Sequence, residues 1–296
     1  MKYSIIIPHY NIPQLLQRCL KTIPVRDDIQ VIVVDNNSNT ENRIAARKVC
    51  DQFPQVEYIQ DEVGNGAGHA RNIGLEHVKG EWLIFSDADD YFYIPFWKNV
   101  DDYIKDTTAD LIFFRSTCVD SDTLEPANRG MYNWDKLIRN YINHNKDSEN
   151  ELRYLHIGPM SKLFRYRYIV DNSIRFDETY TANDVMFCIY AGAMAKKIEA
   201  HDELMYIITQ RKGSLTTLKD KQSLRCRYEV KLRRNQYLNS KNLSYYSSTF
   251  PSFLINALTL FGIKELLWYL NKMIEYKVNP FWGYSRIVKN KIFHNK

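Results

Sequence analysis

The chain has 296 residues, of which 45% are hydrophobic and 25% are charged, and its formal net charge is +5. This balance is typical of a globular protein and excludes collagen, a coiled coil and a wholly disordered chain. The modest net charge gives no argument for nucleic-acid binding.

Short apolar runs alternate with segments of helical spacing in the first half of the chain. The apolar runs predict strands at residues 3–7, 30–34, 56–59, 82–85 and 110–114. The segments between them predict helices at residues 14–22, 41–52, 67–78 and 94–104. Solidly apolar strands alternating with helices predict an α/β fold whose mostly parallel sheet is covered on both faces.

The middle of the chain has a weaker pattern. Residues 125–152 are polar and mixed, and we interpret them as an insertion or a surface helix. A helix is predicted at residues 184–197, with Asn183 as its N-cap. Short strands or turns are predicted at residues 162–167 and 174–176, and a last strand at 206–209.

The composition changes near residue 215. A lysine- and arginine-rich helix is predicted at residues 218–238, and an amphipathic helical stretch at 253–276. The tail, residues 279–296, is aromatic and basic and contains no acidic residue. We therefore predict two domains, an α/β domain at 1–215 and a helical C-terminal extension at 216–296.

Polar segments follow three of the predicted strands, at residues 8–11, 35–38 and 86–90. Ligands of open α/β sheets bind outside the carboxyl ends of the strands, so these segments are expected to meet at one edge of the sheet. Their convergence indicates a ligand site more strongly than any one segment does.

Asp87 and Asp89 are the sharpest candidates in these segments. They follow an apolar strand two positions apart, so their side chains point the same way if the chain is extended. A divalent cation would relieve the repulsion between the two carboxylates, and Mg²⁺ or Mn²⁺ would also recruit a diphosphate. The alternative is an Asp-rich turn in which Asp90 caps a following helix. The position after a buried strand favours the metal site.

Three further candidates have both a binding and a structural interpretation. Asp35 could accept hydrogen bonds from a base or a ribose, or it could form an Asx turn. Residues 64–68 are glycine-rich and could approach a phosphate at a helix start, with Arg71 as a fixed positive charge, or they could form a plain loop. They match neither a P-loop nor the dinucleotide fingerprint. Asp184 is either a general base or a helix-start carboxylate.

Four motifs in order, SIIIPHYN, VIVVDNNS, GNGAGHARNIGL and GEWLIFSDADDY, resemble those of family 2 glycosyltransferases with the GT-A fold. Weaker matches follow in GPMSKLFR, IRFDE, ANDVMF and RKGSLT. The resemblance covers about residues 3–217. The combination of motifs is specific, although each motif alone is not, and the remaining C-terminal residues match nothing.

The resemblance implies an inverting transfer of a hexose from a UDP-sugar, with Asp184 as the base and Mn²⁺ or Mg²⁺ bound by Asp87 and Asp89. It implies nucleotide contacts from Pro8, Tyr10, Asn11, Asp35, Asn37, Gly66, Arg71, Asp87 and Ala88. Arg211 and Ser214 would lie on a loop that closes over the diphosphate. Two positions depart from the family pattern: Asn183 replaces a Glu, and Asn36 replaces an Asp.

The expected acceptor is a saccharide or lipid-linked saccharide in the synthesis of capsule, O-antigen or lipopolysaccharide. Scattered cysteines and the lack of an apolar leader or spanning segment predict a cytoplasmic location. The basic helix and the tail predict contact with the membrane surface, in preference to nucleic acid, and the alternative is a solvated helix face with a packed C-terminal cap. Two alternatives stay open: a non-catalytic GT-A-shaped scaffold, and a nucleotide-sugar pyrophosphorylase, although its G-x-G-T-R loop is missing. The sequence leaves the sugar, acceptor and oligomeric state undetermined.

Overall fold

The structure is a computed structural model that describes residues 1–127, 134–211 and 219–279. The chain divides into two compact units. The first contains Met1–Glu178 and Phe187–Lys212, and the second contains Thr179–Met186 and Gly213–Lys296. The sequence predicted one boundary near residue 215, whereas the second unit also takes a short earlier stretch. The functions assigned to the two predicted domains stay predictions.

The first unit contains a sheet of eight strands. They are β1 (Tyr3–His9), β2 (Ile29–Asn36), β3 (Val56–Asp61), β4 (Trp82–Phe85), β5 (Tyr91–Phe92), β6 (Leu111–Asp120), β7 (Lys162–Arg165) and β8 (Ile198–Gln210). Their order is β3-β2-β1-β4-β7-β6-β8-β5. β7 runs antiparallel to both of its neighbours and β5 runs antiparallel to β8, while the other pairs are parallel. The predicted mostly parallel sheet is therefore confirmed.

Helices connect these strands. They are α1 (Pro13–Leu20), α2 (Thr40–Cys50), α3 (Gly66–Glu76), α4 (Val100–Ile104), α5 (Trp134–Ile142), α6 (Ser148–Leu155), α7 (Tyr166–Asp171) and α8 (Val185–Met194). The single helix predicted at 94–104 is wrong. A 3₁₀ helix, Ile94–Lys98, is separated from α4 by Asn99, whose φ of −115° departs from helical geometry. Residues 174–176 form no strand, and the unassigned region 125–152 contains α5 and α6.

The central strands are apolar on both faces because the sheet separates two hydrophobic clusters. Along β1, Ile5 and Ile7 belong to one cluster, and Ile6 belongs to the other. Gly74 of α3 lies so close to β1 that a Cβ there would be 2.6 Å from Cγ2 of Ile6. The bare glycine therefore lets α3 pack tightly against the strand whose end carries the candidate site.

The second unit contains α9 (Lys221–Ser240), α10 (Pro251–Phe261) and α11 (Ile263–Glu275). Tyr228, Phe250 and Tyr269 lie in its aromatic core. The helical stretch predicted at 253–276 is helical but divided in two, because Gly262 has a φ of +83° and separates α10 from α11. Among the described residues, no helix has both the length and the apolar character needed to cross a membrane.

Candidate functional site

The three polar loops identified from the sequence lie at one edge of the sheet. β1 pairs in parallel with β2, where His9 stands opposite Asp35, and with β4, where Ile6 stands opposite Phe85. The loops that follow these strands therefore leave the sheet side by side. This edge of the first unit is the candidate site.

His9 and Asp35 form the buried floor of this edge. The imidazole Nδ1 of His9 lies 2.8 Å from Oδ2 of Asp35, and both side chains are shielded from solvent. The backbone N–H of Ile12 donates to Nε2 of His9, so Nε2 is an acceptor and the ring hydrogen is on Nδ1. His9 consequently donates to Asp35.

The second oxygen of Asp35 is also engaged, since Oδ1 accepts from the backbone N–H of Ser38 at 2.9 Å. Burial alone would raise the pKa of the Asp35 carboxyl, but the hydrogen bonds from His9 and Ser38 outweigh it and lower the pKa below its usual value. Ser38 in turn accepts from the backbone N–H of Asn11. Asp35 thus joins the loops after β1 and β2. Its hydrogen bond with Ser38 forms an Asx-type turn, which was the structural interpretation of this residue.

The glycine-rich loop is tied to the same edge by Asn36. Its side-chain oxygen accepts from the backbone N–H of Gly66, where α3 begins. Because this bond needs only an acceptor oxygen, the Asn serves where the family pattern has an Asp. Gly64 has a φ of +67°, and a Cβ there would lie 2.7 Å from Cβ of Asn37. Both conformation and space therefore require glycine at this position.

Asp87 is paired with a buried arginine. The guanidinium of Arg71 donates to Oδ1 of Asp87 and lies over the ring of Phe176. Arg71 is only 4% exposed, so it is a buried arginine and not a solvated one on the surface of α3. The backbone N–H of Asp87 donates to the hydroxyl of Tyr206. Burial and two nearby carboxylates raise the pKa of Tyr206 far above its usual value, so its hydroxyl keeps its proton.

Asp89 is paired with a second arginine. Nε of Arg211 donates to Oδ2 of Asp89 at 2.9 Å. The backbone carbonyl of Asp89 accepts from Arg18 at 2.6 Å and from the hydroxyl of Thr209 at 2.7 Å. Asp90 does not cap a helix, because its carboxylate instead accepts from the backbone N–H of Thr209. β8 thereby fixes the loop that carries the acidic residues.

Asp87, Asp89 and Asp90 each bring a carboxylate oxygen within 4.8 Å of the others. Oxygen donors of this kind are those that Mg²⁺ and Mn²⁺ prefer. Asp87 and Asp89 are partly exposed, whereas Asp90 is buried. The donor set fits a hard divalent cation held by Asp87 and Asp89, with Asp90 fixing the loop.

The remaining predicted residues take different places. Pro8 lies in β1 near its carboxyl end, Tyr10, Asn11 and Asn37 lie on the loops of this edge, and the side chain of Tyr10 is exposed. Ala88 is buried between the two acidic residues. Asp184 belongs to the second unit. It directly precedes α8, which lies in the first unit from Phe187 onward. Ser214 and residues 280–296 of the tail lie outside the described residues.

Comparison with known proteins agrees with this geometry. The family model described as glycosyl transferase family 2 matches residues 4–168, more than half of the chain. The chain belongs to this family. The match includes β2, β4 and all of β1 except Tyr3, and every residue of the candidate edge except Phe176, Arg211 and those contributed by β8.

Two curated relatives show the same similarity over a longer stretch. Poly(ribitol-phosphate) beta-N-acetylglucosaminyltransferase TarS of Staphylococcus aureus is 24% identical over 225 residues, covering 72% of this chain and 36% of TarS. Poly(ribitol-phosphate) beta-glucosyltransferase of Bacillus spizizenii is 28% identical over 224 residues, covering 72% of this chain and 33% of that protein. The chain thus spans about a third of the length of these relatives.

Solved structures confirm the GT-A fold. The crystal structure of S. aureus TarS 1–349 in complex with UDP-GlcNAc matches with a TM-score of 0.69 at 21% identity, covering 93% of this chain and 80% of that one. The mannosyltransferase PcManGT of Pyrobaculum calidifontis, in complex with GDP-Man and Mn²⁺, matches with a TM-score of 0.56 at 16% identity, covering 100% and 81%. At these identities the likeness concerns the fold alone.

Proposed function

We propose that this chain carries the catalytic unit of an inverting glycosyltransferase that moves a hexose from a UDP-sugar to a saccharide-containing surface polymer. The observation that carries the proposal is the pairing of Asp87 with Arg71 and of Asp89 with Arg211 at the carboxyl ends of the parallel strands. Two carboxylates and two arginines within one loop cluster provide ligands for a cation and donors for a diphosphate.

The donor class is supported by the related proteins. TarS has been crystallised with UDP-GlcNAc and with UDP, and the Bacillus relative is named as a glucosyltransferase. Loops at the β1 and β2 edge, with Tyr10, Asn11 and Asn37, offer a ring face and amide groups for the nucleotide. We assign Asp35 a supporting role there, because both of its oxygens are already taken by protein donors.

Asp87 and Asp89 would hold Mn²⁺ or Mg²⁺. When bound, the cation would supply positive charge that offsets the negative charge developing on the departing UDP. Arg71 and Arg211 provide the fixed cationic groups of this chain. Arg71 is held by burial against Phe176, while Arg211 directly follows β8 and, with Ser214, is our candidate for closing over the diphosphate.

Asp184 is our proposed general base, on the strength of the family resemblance. A carboxylate in this role takes the proton from an acceptor hydroxyl as that oxygen attacks the anomeric carbon. A single displacement inverts the anomeric centre, so an α-linked donor gives a β-linkage. The Asn at position 183 replaces a Glu of the family pattern, which leaves the base itself in place.

The acceptor class follows from the curated relatives. TarS and the Bacillus enzyme are named for poly(ribitol-phosphate), and a further relative is named a teichoic acid poly(glycerol phosphate) polymerase. We therefore favour a bacterial cell-wall polymer over capsule, O-antigen or lipopolysaccharide. The chain spans only about a third of the length of the first two relatives.

A UDP-release assay tests the proposal. Asp89→Ala and Asp184→Asn are each expected to lower turnover about a hundredfold or more, since the first removes a ligand of the cation that would offset charge on the departing UDP and the second removes the proposed general base. Asp27→Ala is the matched control, because Asp27 is an exposed carboxylate of the same unit away from the sheet edge. Equal background release by all four proteins would instead indicate a non-catalytic scaffold.

A further inference from the structure

One face of α11 in the second unit is apolar and exposed. On α11, Ile263, Leu267, Leu270 and Ile274 follow one another at intervals of four, three and four residues, which places them on one face of the helix. These side chains are between 39% and 75% exposed. Buried residues of α11, including Tyr269 and Met273, lie in the aromatic core of the unit instead. The exposed face is thus an additional apolar surface that the core does not use.

The helix that precedes and contacts α11 also exposes aliphatic side chains. Ile255 and Leu258 of α10 are 58% and 47% exposed, and α10 contains no charged residue. We call these two side chains and the four exposed ones of α11 the apolar strip. Soluble proteins rarely leave so many large aliphatic side chains exposed on adjacent helices unless another surface covers them.

The charge of this part of the chain is strongly positive. Residues 219–296 contain fifteen lysines and arginines against four acidic residues, a formal net charge of +11, while residues 1–218 have a net charge of −6. Such an asymmetry is typical of chains that contact nucleic acid or an anionic membrane. The overall value of +5 conceals it.

The acidic residues of α11 do not offset this charge at the strip. Glu265 is 2% exposed and is paired with Arg225 and Lys221 inside the unit. Glu275 is paired with Lys272 of the same helix. Lys264 in the first turn of α11 and Lys277 just after the helix are both exposed. The strip therefore combines aliphatic side chains with a cationic surround.

We propose that the apolar strip docks on the surface of an anionic lipid bilayer. Aliphatic side chains can enter the headgroup and acyl boundary while lysines and arginines meet the lipid phosphates. A second copy of the chain fits the strip less well, because two units with this charge repel each other. Nucleic acid would engage the cations but leave the aliphatic side chains exposed to water.

Vesicle flotation tests the docking. Wild-type protein is expected to float with vesicles of phosphatidylcholine and phosphatidylglycerol and much less with phosphatidylcholine alone, and rising salt should weaken the binding. Leu267→Gln/Ile274→Gln is expected to bind about tenfold more weakly, since both side chains lose their aliphatic insertion. Val25→Gln/Ile44→Gln is the matched control, because these exposed side chains lie in the first unit.

Three outcomes would overturn the proposal. The first is equal flotation of wild type and the Leu267→Gln/Ile274→Gln variant, with both proteins folded by circular dichroism. The second is a dimer in analytical ultracentrifugation that the variant abolishes, without vesicle binding. The third is salt-sensitive binding to a DNA or RNA oligonucleotide that the variant retains, again without vesicle binding. UDP binding in solution should be unchanged in the variant, so this test is separate from that of the proposed activity.

Discussion

His9 and Asp35 form a hydrogen-bonded pair that is shielded from solvent and joins the ends of two parallel strands, with Nδ1 and Oδ2 2.8 Å apart. Each of the four polar atoms in this pair has a protein partner: Ile12 donates to the imidazole, and Ser38 donates to the carboxylate. All polar side-chain atoms of the pair are therefore hydrogen-bonded within the protein, and the role of the pair is to fix the two loops that flank it.

Replacing Asp35 with Asn leaves this set of hydrogen bonds incomplete. An amide has one acceptor oxygen, so either His9 or the backbone N–H of Ser38 loses its partner, and the amide hydrogens face a donor. We expect Asp35→Asn to lower the free energy of unfolding by about 1–3 kcal/mol, measured by urea denaturation at pH 7. Asp28→Asn is the control, because Asp28 pairs with Arg26 near the surface and should cost under about 1 kcal/mol. Equal losses would contradict the assigned role.

Acid should weaken the same pair. Because folding lowers the pKa of Asp35, the carboxylate contributes stability at every pH above its unfolded pKa of about 4, and this contribution falls as the pH drops through the folded pKa. The stability difference between wild type and Asp35→Asn should thus be constant from about pH 5 to 7 and shrink below about pH 4. Urea midpoints across this range measure it, and a difference that persists at low pH would refute the prediction.

The sequence predicts the central strands well because their neighbours on both faces are apolar. β1, β2 and β4 read as continuous runs, and β4 was predicted to its exact ends. β8 was predicted only at 206–209, although it begins at Ile198. Its first half, with Glu199, Asp202 and Glu203, is too polar to give either an apolar run or a clean alternation.

Some residues of the candidate site could be identified from the sequence, and others could not. Asp87 and Asp89 could be identified because both follow a buried strand and stand two positions apart. Arg18 and Thr209 could not, because they lie 71 and 120 residues from the carbonyl of Asp89 that they bind. Thr209 reaches this loop on β8 and Arg18 reaches it on α1, and no local sequence pattern indicates either contact. Tyr206, which binds Asp87, was missed for the same reason.

Arg211 is paired with Asp89 and would compete with the proposed cation for its carboxylate. In this conformation its guanidinium already neutralises the carboxylate, so Arg211→Gln is expected to strengthen Mn²⁺ binding in the absence of nucleotide by about two- to fivefold. In the presence of UDP the same variant should bind the nucleotide and Mn²⁺ more weakly, because a donor to the diphosphate is lost. Titration calorimetry with Mn²⁺ alone and with UDP and Mn²⁺ measures both affinities.

Arg167→Gln is the control for this experiment, since Arg167 is a highly exposed arginine of the first unit whose partner is Asp171. It should change neither affinity. Opposite changes in the two titrations support the exchange of Arg211 between the carboxylate and the diphosphate. A fall in both affinities would instead mean that Arg211 only holds the Asp89 loop in place.

Gly262 should be required between α10 and α11 for a reason that is conformational and not steric. Its φ of +83° and ψ of −176° belong to a region that is essentially confined to glycine, while no atom lies within 4 Å of an added Cβ. We expect Gly262→Ala to lower the free energy of unfolding by about 1–3 kcal/mol in urea denaturation. Gly262→Asn should not rescue it, because Asn tolerates left-handed helical geometry, which this ψ value is far from. Ser252→Ala, an exposed change on α10, is the control, and a Gly262→Ala protein as stable as that control would contradict the argument.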